Sequence, residues 1–225
     1  MEINNYIKKI NYFNKNIYYL EINNTFINNY NIFISLFCDK NDLNRLNKFI
    51  FDNDKYRHLG SIILQKFVVR NFTDLFNSNL NYINLVIFRD KYNKPYILNP
   101  LTSKCEINYN VSHDDKIVII IFDQLNRVGI DIMSNNQEKR VNKLDIKFWK
   151  EEEKNMNKLK LWTLIESYYK SIGTGISEIN NRKIYFKEEN DTINLFNLNN
   201  EKIKNIKIHC FNFNNYIVSF IELTS

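Results

Sequence analysis

The hydrophobic and polar residues of this chain follow two periods, one typical of strands and one typical of helices. Polar and apolar residues alternate over 17–37, and apolar residues dominate 82–88 and 116–122, which predicts strands in these three segments. The longest purely apolar run, 117–122, is far shorter than the roughly 20 residues that a membrane-spanning helix requires. The first half therefore predicts a small sheet and no membrane span.

Apolar residues recur every three or four positions in two longer segments, which predicts two long helices. The first helix is predicted over 54–72, where Gly60 indicates a close packing contact because glycine is unfavourable inside a helix. The second belongs to a helical region predicted over 141–172, and Gly173 follows it where a helix cap takes a positive φ. The apolar stripe of this second helix comprises Met156, Leu159, Trp162, Ile165, Tyr169 and Ile172.

The second half repeats the arrangement of the first. Strands are predicted over 127–133, 183–186, 206–213 and 216–223, and a short helix is predicted over 42–48 in the first half. Each half then combines one long helix with a small, mostly antiparallel sheet. We therefore predict an α+β fold, a pseudo-two-fold duplicate with an N-terminal half over 1–126 and a C-terminal half over 127–225, and expect a ligand in the seam between the halves.

Composition and charge narrow the class of protein. The chain is 44% hydrophobic and 15% aromatic, which is enough for a packed core despite its many asparagines. Its 31 basic and 25 acidic residues give a net charge of +6, which favours an anionic partner: nucleic acid, an acidic protein or a phosphorylated cofactor. The three cysteines are far apart, and the N-terminus lacks a signal-peptide core. We expect a soluble, cytoplasmic protein.

Two short stretches, 128–133 and 161–175, contain three of the four glycines and one of the two tryptophans. The first stretch is predicted to be a buried strand with the carboxylate of Asp131 at its end, and a buried carboxylate needs a cation or hydrogen-bond donors. In the second stretch, Thr163, Glu166 and Lys170 are spaced three and four residues apart, so they share a helix face opposite the apolar stripe. A solvent-exposed Glu–Lys pair would have the same spacing. Neither a Walker loop nor a GxGxxG motif is present.

Further polar residues precede the apolar strand. Ser112 and His113 could bind a phosphate oxygen, but neighbours on an extended chain point to opposite sides, which argues against a nucleophile and its base. Taken singly, this segment could equally be a polar turn that leads into the strand. Arg45, Arg89 and Lys94 could likewise be ordinary surface charges.

Taken together and in order, these segments resemble the motifs of the Sfp-type 4'-phosphopantetheinyl transferases. The resemblance extends over about 42–177. Its motifs are Arg45 ahead of Phe49-Ile50-Phe51-Asp52-Asn53-Asp54, then Asn93-Lys94-Pro95-Tyr96, Tyr109-Asn110-Val111-Ser112-His113, Val128-Gly129-Ile130-Asp131, Trp162-Thr163-Leu164-Ile165-Glu166-Ser167-Tyr168-Tyr169-Lys170 and Gly173-Thr174-Gly175.

The resemblance implies a monomeric enzyme that transfers 4'-phosphopantetheine from coenzyme A to a serine of an acidic acyl or peptidyl carrier protein, releasing 3',5'-ADP. It implies that Asp131 and Glu166 hold Mg²⁺, that Lys170 neutralises the pyrophosphate, and that Glu166 is the base for the carrier serine. The remaining coenzyme A contacts that it implies are Arg45, Arg89, Asn93, Lys94, Asn110, Val111, Ser112 and His113.

The chain departs from the family pattern at three positions. Met133 replaces a glutamate of many bacterial members, and a thioether is a poor ligand for Mg²⁺. The same methionine is typical of the animal branch that resembles aminoadipate-semialdehyde dehydrogenase phosphopantetheinyl transferase. Ile165 replaces a lysine, and Asn93 replaces a glycine in a turn where asparagine tolerates a positive φ.

Two alternatives remain at this point. A non-catalytic protein that binds coenzyme A or a carrier protein would explain Ile165 and Met133. A nucleic-acid-binding module would explain the basic charge, but the charges are too dispersed along the chain to favour it. We therefore expect no nucleic-acid partner.

Overall fold

The computed structural model describes residues 3–73, 80–100, 102–105, 107–144, 149–175, 179, 182–190 and 192–224. The chain divides into two compact units, Met1–Leu125 and Asn126–Ser225. Both units combine helices with antiparallel sheets, so the predicted α+β class is confirmed. No helix within the described residues is both long enough and apolar enough to cross a membrane.

The first unit contains four helices and six strands within its described residues. These are β1 (Ile7–Ile10), β2 (Ile17–Glu21), α1 (Asn24–Asn28), α2 (Tyr30–Phe37), α3 (Lys40–Leu46), α4 (Asp52–Phe72), β3 (Ile87–Arg89), β4 (Pro95–Ile97), β5 (Asn108–Asp114) and β6 (Ile117–Asp123). Four strands form an antiparallel sheet in the order β1-β2-β6-β5, and β3 and β4 form a separate hairpin. The long helix predicted over 54–72 is confirmed as α4.

Helix α4 packs on the four-stranded sheet at Gly60. A Cβ atom at this position would lie 3.0 Å from Val118 Cγ2 and 3.3 Å from Ile22 Cδ1. The close packing contact predicted from this glycine is therefore confirmed. Because the helix can approach the sheet here, its buried side chains, such as Leu59 and Ile63, join the same core as the strands.

The strand prediction over 17–37 is wrong beyond β2, because α1 and α2 occupy most of that segment. The Asn23 side chain starts α1 by accepting a 3.0 Å hydrogen bond from the backbone N–H of Phe26. In α2, Phe33 and Phe37 lie four residues apart and are both buried, so the helical period decides the structure. The strand predicted over 82–88 is mostly wrong too: a 3-10 turn, Tyr82–Asn84, precedes β3.

The second unit contains two helices and five strands within its described residues. These are β7 (Arg127–Ser134), α5 (Glu138–Val141), α6 (Lys158–Ile172), β8 (Ile184–Glu189), β9 (Thr192–Asn197), β10 (Ile206–Phe213) and β11 (Tyr216–Leu223). One antiparallel sheet has the order β10-β11-β7, and β8 and β9 form a hairpin. The strands predicted over 206–213 and 216–223 are confirmed, whereas β9 was not predicted.

The helical region predicted over 141–172 is too long. Helix α6 begins at Lys158, because the side chain of Asn157 accepts a 3.0 Å hydrogen bond from the backbone N–H of Lys160 and caps the helix there. Positions 145–148 of that prediction, and the end of the motif match at 177, lie outside the described residues. At the other end, Gly173 has a φ of 84° and caps α6, as predicted.

Candidate active site

Asp131 lies in the middle of β7 rather than at a strand end. It is the fifth residue of this eight-residue strand, and it pairs with Ser219 of β11. The predicted strand end is therefore wrong, because pairing with β11 continues as far as Ser134. The Asp131 side chain is nevertheless buried, with 5% relative exposure, as expected for a carboxylate inside an apolar strand.

Small residues let helix α6 lie directly on this sheet. A Cβ atom at Gly129 would lie 2.1 Å from the backbone oxygen of Ser167 and 2.4 Å from the backbone nitrogen of Ser171. Only glycine leaves room for the α6 backbone here. The two segments that stand out in the sequence are thus packed against each other, backbone on backbone.

Polar side chains fix the position of α6 along β11. The hydroxyls of Thr163 and Ser219 are 2.7 Å apart, and the hydroxyl of Ser167 donates a 2.8 Å hydrogen bond to the carbonyl of Ser219. Thr163 is fully buried against the sheet, so it does not belong to a solvent-exposed polar face. The expected split of α6 into one apolar and one polar face is therefore wrong: both faces are covered.

The side chains of Asp131 and Glu166 both approach the ammonium group of Lys170. The Lys170 Nζ atom lies 2.6 Å from Asp131 Oδ1 and 3.7 Å from Glu166 Oε2. Glu166 is 8% exposed, and the Lys170 side chain is 23% exposed. Glu166 and Lys170 are therefore not a solvent-exposed helix pair; they share a largely buried cluster with a carboxylate from β7.

The environment shifts the protonation of this cluster. Burial, together with the nearby carboxylate of Asp131, raises the pKa of Glu166 to about 7, although Lys170 opposes the shift. Burial alone would lower the pKa of Lys170, but Asp131 and Glu166 outweigh it and raise that pKa. Glu166 can therefore exchange a proton near neutral pH, while Lys170 stays charged.

The donor atoms of the cluster suit a hard cation. Two carboxylates and one ammonium carry a net charge of −1 when all are ionised, so an added divalent cation would offset the repulsion between Asp131 and Glu166. Mg²⁺ commonly takes one or two protein carboxylates and completes its shell with water and phosphate oxygens. Within the described ranges, no group of three or more His, Cys, Asp or Glu side chains is placed to hold a metal.

Two departures from the family pattern have a structural context. Met133 lies two residues after Asp131, hence on the same face of β7, and its side chain is half-buried. Ile165 is fully buried and belongs to the hydrophobic core of the second unit. An isoleucine at this position of α6 therefore contributes to packing, where a lysine would have to reach out of the core.

In the first unit, cationic residues from several elements lie close enough to influence one another. Arg45 is in the last turn of α3, Arg89 ends β3, and His113 is in β5. Sequence reasoning missed a fourth member, His58 of α4, which no motif or periodicity marks. Burial, with Arg89, Arg45 and His113, lowers the pKa of the His58 imidazole to about 4.

A buried ion pair holds the helix that carries Arg45. The side chain of Asp42 completes a capping box with Asp39 at the start of α3 and accepts a 2.7 Å hydrogen bond from Lys66 Nζ in α4. Lys66 is fully buried and also donates to the carbonyl of Phe37. Because neither charge can reach water easily, α3 is fixed to α4 at this point.

The hairpin between β3 and β4 positions Arg89. Asn93 has a φ of 65°, so it adopts the positive φ predicted for it, and its carbonyl accepts a 2.9 Å hydrogen bond from Arg89 Nη1. One carboxylate oxygen of Asp90 accepts hydrogen bonds from the backbone N–H groups of Tyr92 and Lys94, which closes the turn. Lys94, half-buried, lies at the end of this turn.

The segment with Asn110, Val111, Ser112 and His113 is part of strand β5 and not a polar turn. Val111 packs on the core of the unit, and His113 follows on the same face of the strand. Asn110 and Ser112 are buried on the opposite face. The predicted opposite orientation of Ser112 and His113 is thus confirmed. His113 contributes to the lowered pKa of His58.

Two comparisons relate the chain to known proteins. Residues 28–124 match the family model described as 4'-phosphopantetheinyl transferase, N-terminal. The chain is also similar to the 4'-phosphopantetheinyl transferase gsp of Aneurinibacillus migulanus, with 28% identity over 145 residues. That alignment covers 57% of this chain and 53% of the bacterial protein. The chain thus spans about half the length of the curated relative that it matches.

Proposed function

We propose that this chain, a relative of the Sfp-type 4'-phosphopantetheinyl transferases, transfers 4'-phosphopantetheine from coenzyme A to a serine of a carrier protein. The matches over residues 28–124 and to the bacterial transferase confirm the resemblance that the motifs predicted. The product released from coenzyme A would be 3',5'-ADP.

The observation that supports this function best is the buried cluster of Asp131, Glu166 and Lys170. The carboxylates of Asp131, from a strand, and of Glu166, from a helix, each lie within 3.7 Å of the ammonium group of Lys170. Phosphoryl transfer depends mainly on positioning and on neutralising charge at the phosphates. A rigid, partly buried cluster of this composition meets both needs.

Asp131 and Glu166 would hold the Mg²⁺ ion, with water completing its shell. When bound, this ion would neutralise the negative charge of the pyrophosphate of coenzyme A. Met133 supplies no hard oxygen ligand, so the chain offers two carboxylates rather than three at this site. This composition matches the animal branch that the sequence resembles.

The chain's own residues would then act as follows. Glu166 would accept the proton of the carrier serine, directly or through water. The serine oxygen would form a bond to the phosphorus that carries pantetheine, and the bond from that phosphorus to the oxygen of 3',5'-ADP would break. Lys170 would stabilise the negative charge that develops on this leaving oxygen. By the resemblance, the residues that would contact the nucleotide phosphates of coenzyme A are Arg45, Arg89, Lys94, Ser112 and His113.

Mass spectrometry of a carrier protein tests the proposal. An apo acyl carrier protein and an apo peptidyl carrier domain, each incubated with coenzyme A, Mg²⁺ and the full chain, should each gain one phosphopantetheine. Omitting Mg²⁺ and adding EDTA should stop the reaction. Asp131→Ala and Glu166→Ala should abolish transfer, whereas Glu188→Ala, in the exposed pair with Lys160, should retain it.

The same assay separates catalysis from binding alone. A chain that binds coenzyme A by calorimetry but leaves every carrier at its original mass would be a non-catalytic homologue. Near-normal transfer by the Asp131→Ala or Glu166→Ala variant would also contradict the mechanism, because these residues are proposed to hold the metal and to accept the proton.

A further inference from the structure

Ser219 is a fully buried polar residue of β11 to which the proposed transfer gives no role. It is the strand partner of Asp131 in β7. Residues that lie directly opposite each other in an antiparallel pair project from the same face of the sheet. The Ser219 side chain therefore lies beside that of Asp131, on the face of the sheet against which α6 packs.

Two residues of α6 bond to Ser219, and they lie on either side of Glu166 in the sequence. Thr163, three residues before Glu166, has its hydroxyl 2.7 Å from the hydroxyl of Ser219. Ser167, directly after Glu166, donates its hydroxyl to the Ser219 carbonyl over 2.8 Å. One strand residue thus bonds to the helix on both sides of one candidate metal ligand, and it pairs with the strand residue that carries the other.

The hydroxyl contact is the less divided of these two bonds. A hydroxyl has one hydrogen to donate. Thr163 donates its hydrogen to the Lys160 carbonyl at 2.8 Å, so Ser219 is the donor in its bond to Thr163. Ser167 shares its hydrogen between the carbonyls of Ser219 and Thr163. Because Thr163, Ser167 and Ser219 are all fully buried, water does not compete for these bonds.

We propose that Ser219 is a positioning residue for the candidate metal site: it holds the segment of α6 that carries Glu166 opposite Asp131, so that both carboxylates can bind one divalent cation. This inference rests on the proposed function, because it concerns the two residues that would hold Mg²⁺. Ser219 lies outside the motifs that resemble the family, which end at Gly175, so the sequence alone gives it no role.

The position of α6 along the sheet matters because Mg²⁺ tolerates little deviation. The ion takes its oxygen ligands at about 2.0–2.1 Å, in nearly ideal octahedral geometry. A helix rises about 1.5 Å per residue, so a shift of α6 by a single residue would already separate the two carboxylates. Packing at Gly129 sets how closely the helix approaches the sheet. The bonds to Ser219 are directional and therefore set its position along the strand.

A matched pair of variants at Thr163 tests the hydroxyl bond. Thr163→Val keeps the shape of the side chain and removes its hydroxyl, whereas Thr163→Ser keeps the hydroxyl. In a calorimetric titration of the full chain with Mg²⁺, Thr163→Val should bind about tenfold more weakly, the usual lower limit when an outer partner of a metal ligand is removed. Thr163→Ser should bind Mg²⁺ as tightly as the wild-type chain.

Ser219→Ala removes the other half of the same bond. It should weaken Mg²⁺ binding as much as Thr163→Val does, and the double variant should bind no more weakly than either single variant, because all three lack one bond. Ser171→Ala is the matched control. Ser171 is also buried in α6, but its hydroxyl donates to the Tyr168 carbonyl within the helix, at 2.7 Å. This control should keep the affinity of the wild-type chain.

Carrier labelling gives a second readout on the same preparations. Ser219→Ala should lower kcat by about tenfold and leave KM for the carrier unchanged, because displaced carboxylates impair the chemical step and not the binding of the carrier. Circular dichroism shows whether a lower kcat reflects a loss of folded protein. If Ser219→Ala does not fold, the comparison of Thr163→Val with Thr163→Ser decides.

Two results would overturn the assignment. One is equal Mg²⁺ affinity of Thr163→Val and Thr163→Ser. The other is a Ser171→Ala control that weakens Mg²⁺ binding as much as Ser219→Ala does. If either occurs while the wild-type chain labels carriers, the transfer function stands and this inference fails. If Mg²⁺ binding changes as expected but no carrier is labelled, the positioning role stands and the transfer function fails.

Discussion

Two lysines of helix α6 show how burial decides what an ion pair does. Lys160 pairs with Glu188 at 2.6 Å, and both side chains are partly exposed, at 22% and 35%. Lys170 approaches Asp131 at the same distance, but the carboxylate is 7% exposed and a second one, Glu166, is nearby. The first pair contributes little to stability because water screens it. The second pair neutralises charge that cannot reach water.

We therefore expect Lys170→Met and Lys160→Met to differ in stability. Without metal, Lys170→Met should lower the free energy of unfolding by about 2 kcal/mol or more, since two buried carboxylates lose their cation. Lys160→Met should cost at most about 1 kcal/mol. Chemical denaturation of both variants measures the difference.

The same pair of variants tests the metal site without an activity assay. Added Mg²⁺ should stabilise Lys170→Met more than the wild-type chain, because the ion replaces the missing positive charge. Equal stabilisation of all three proteins by Mg²⁺ would mean that the ion does not bind at Asp131 and Glu166.

Met133 gives a second test at the scale of one residue. Met133 and Asp131 lie on the same face of β7, two positions apart, so Met133→Glu adds a hard oxygen ligand beside the proposed metal. The variant should bind Mg²⁺ more tightly, by about tenfold if one carboxylate ligand is gained. A calorimetric metal titration that shows no change would mean that position 133 does not reach the metal.

At the scale of elements, the site depends on how closely α6 approaches β7. At Gly129 a side chain would collide with backbone atoms of α6, which cannot rotate away. At Gly60 a side chain would meet side-chain atoms of Val118 and Ile22, which can move aside. Both glycines lie at helix–sheet contacts, but only the first one sets the distance between a strand and a helix that share functional residues.

Gly129→Ala should thus be far more harmful than Gly60→Ala. The first variant should lose more than about 3 kcal/mol of stability, above the usual range for overpacking, because α6 must move as a whole. Transfer should fall with it, since the movement separates Glu166 and Lys170 from Asp131. Gly60→Ala should cost about 1–2 kcal/mol and keep transfer. Denaturation midpoints and carrier labelling, measured on the same preparations, would contradict the argument if the two variants behaved alike.

At the scale of the whole molecule, net charge bears on the choice of partner. The chain has a charge of +6, and the resemblance implies an acidic carrier protein as its partner. Opposite net charges raise the rate at which two proteins associate. At 0.1 M ionic strength, salt limits the range of this attraction to about 10 Å.

The efficiency of transfer to an acidic carrier should therefore fall as salt is added. We expect kcat/KM for the carrier to drop by about tenfold between low and high ionic strength, mainly through KM. A carrier variant with its surface carboxylates neutralised should show little salt dependence. If the acidic carrier and its neutralised variant show the same salt dependence, the salt acts on the enzyme or on coenzyme A. The prediction that opposite charges attract the carrier would then be wrong.

Local patterns in the sequence determined several elements of the fold. The helical period of apolar residues predicted α4 and the end of α6, and the alternation of apolar and polar residues predicted β10 and β11. These predictions succeeded because such patterns reflect which face of a single element is buried. The period failed over 17–37, where an asparagine cap and two phenylalanines favoured helices over strands. It also missed β9, whose residues are mostly half-exposed and lack a clear alternation.

The order of the motifs predicted the resemblance to the 4'-phosphopantetheinyl transferases, and it marked Asp131 and Glu166 as candidate site residues. Only the tertiary structure decided that Asp131 and Lys170, 39 residues apart, share one hydrogen bond, and that α6 is covered on both faces. Only the tertiary structure showed that burial lowers the pKa of His58, and that Arg89, Arg45 and His113 add to this effect. The physical reason is that a motif records which residues are present, whereas their electrostatic effects depend on burial and on neighbours that packing brings from distant parts of the chain.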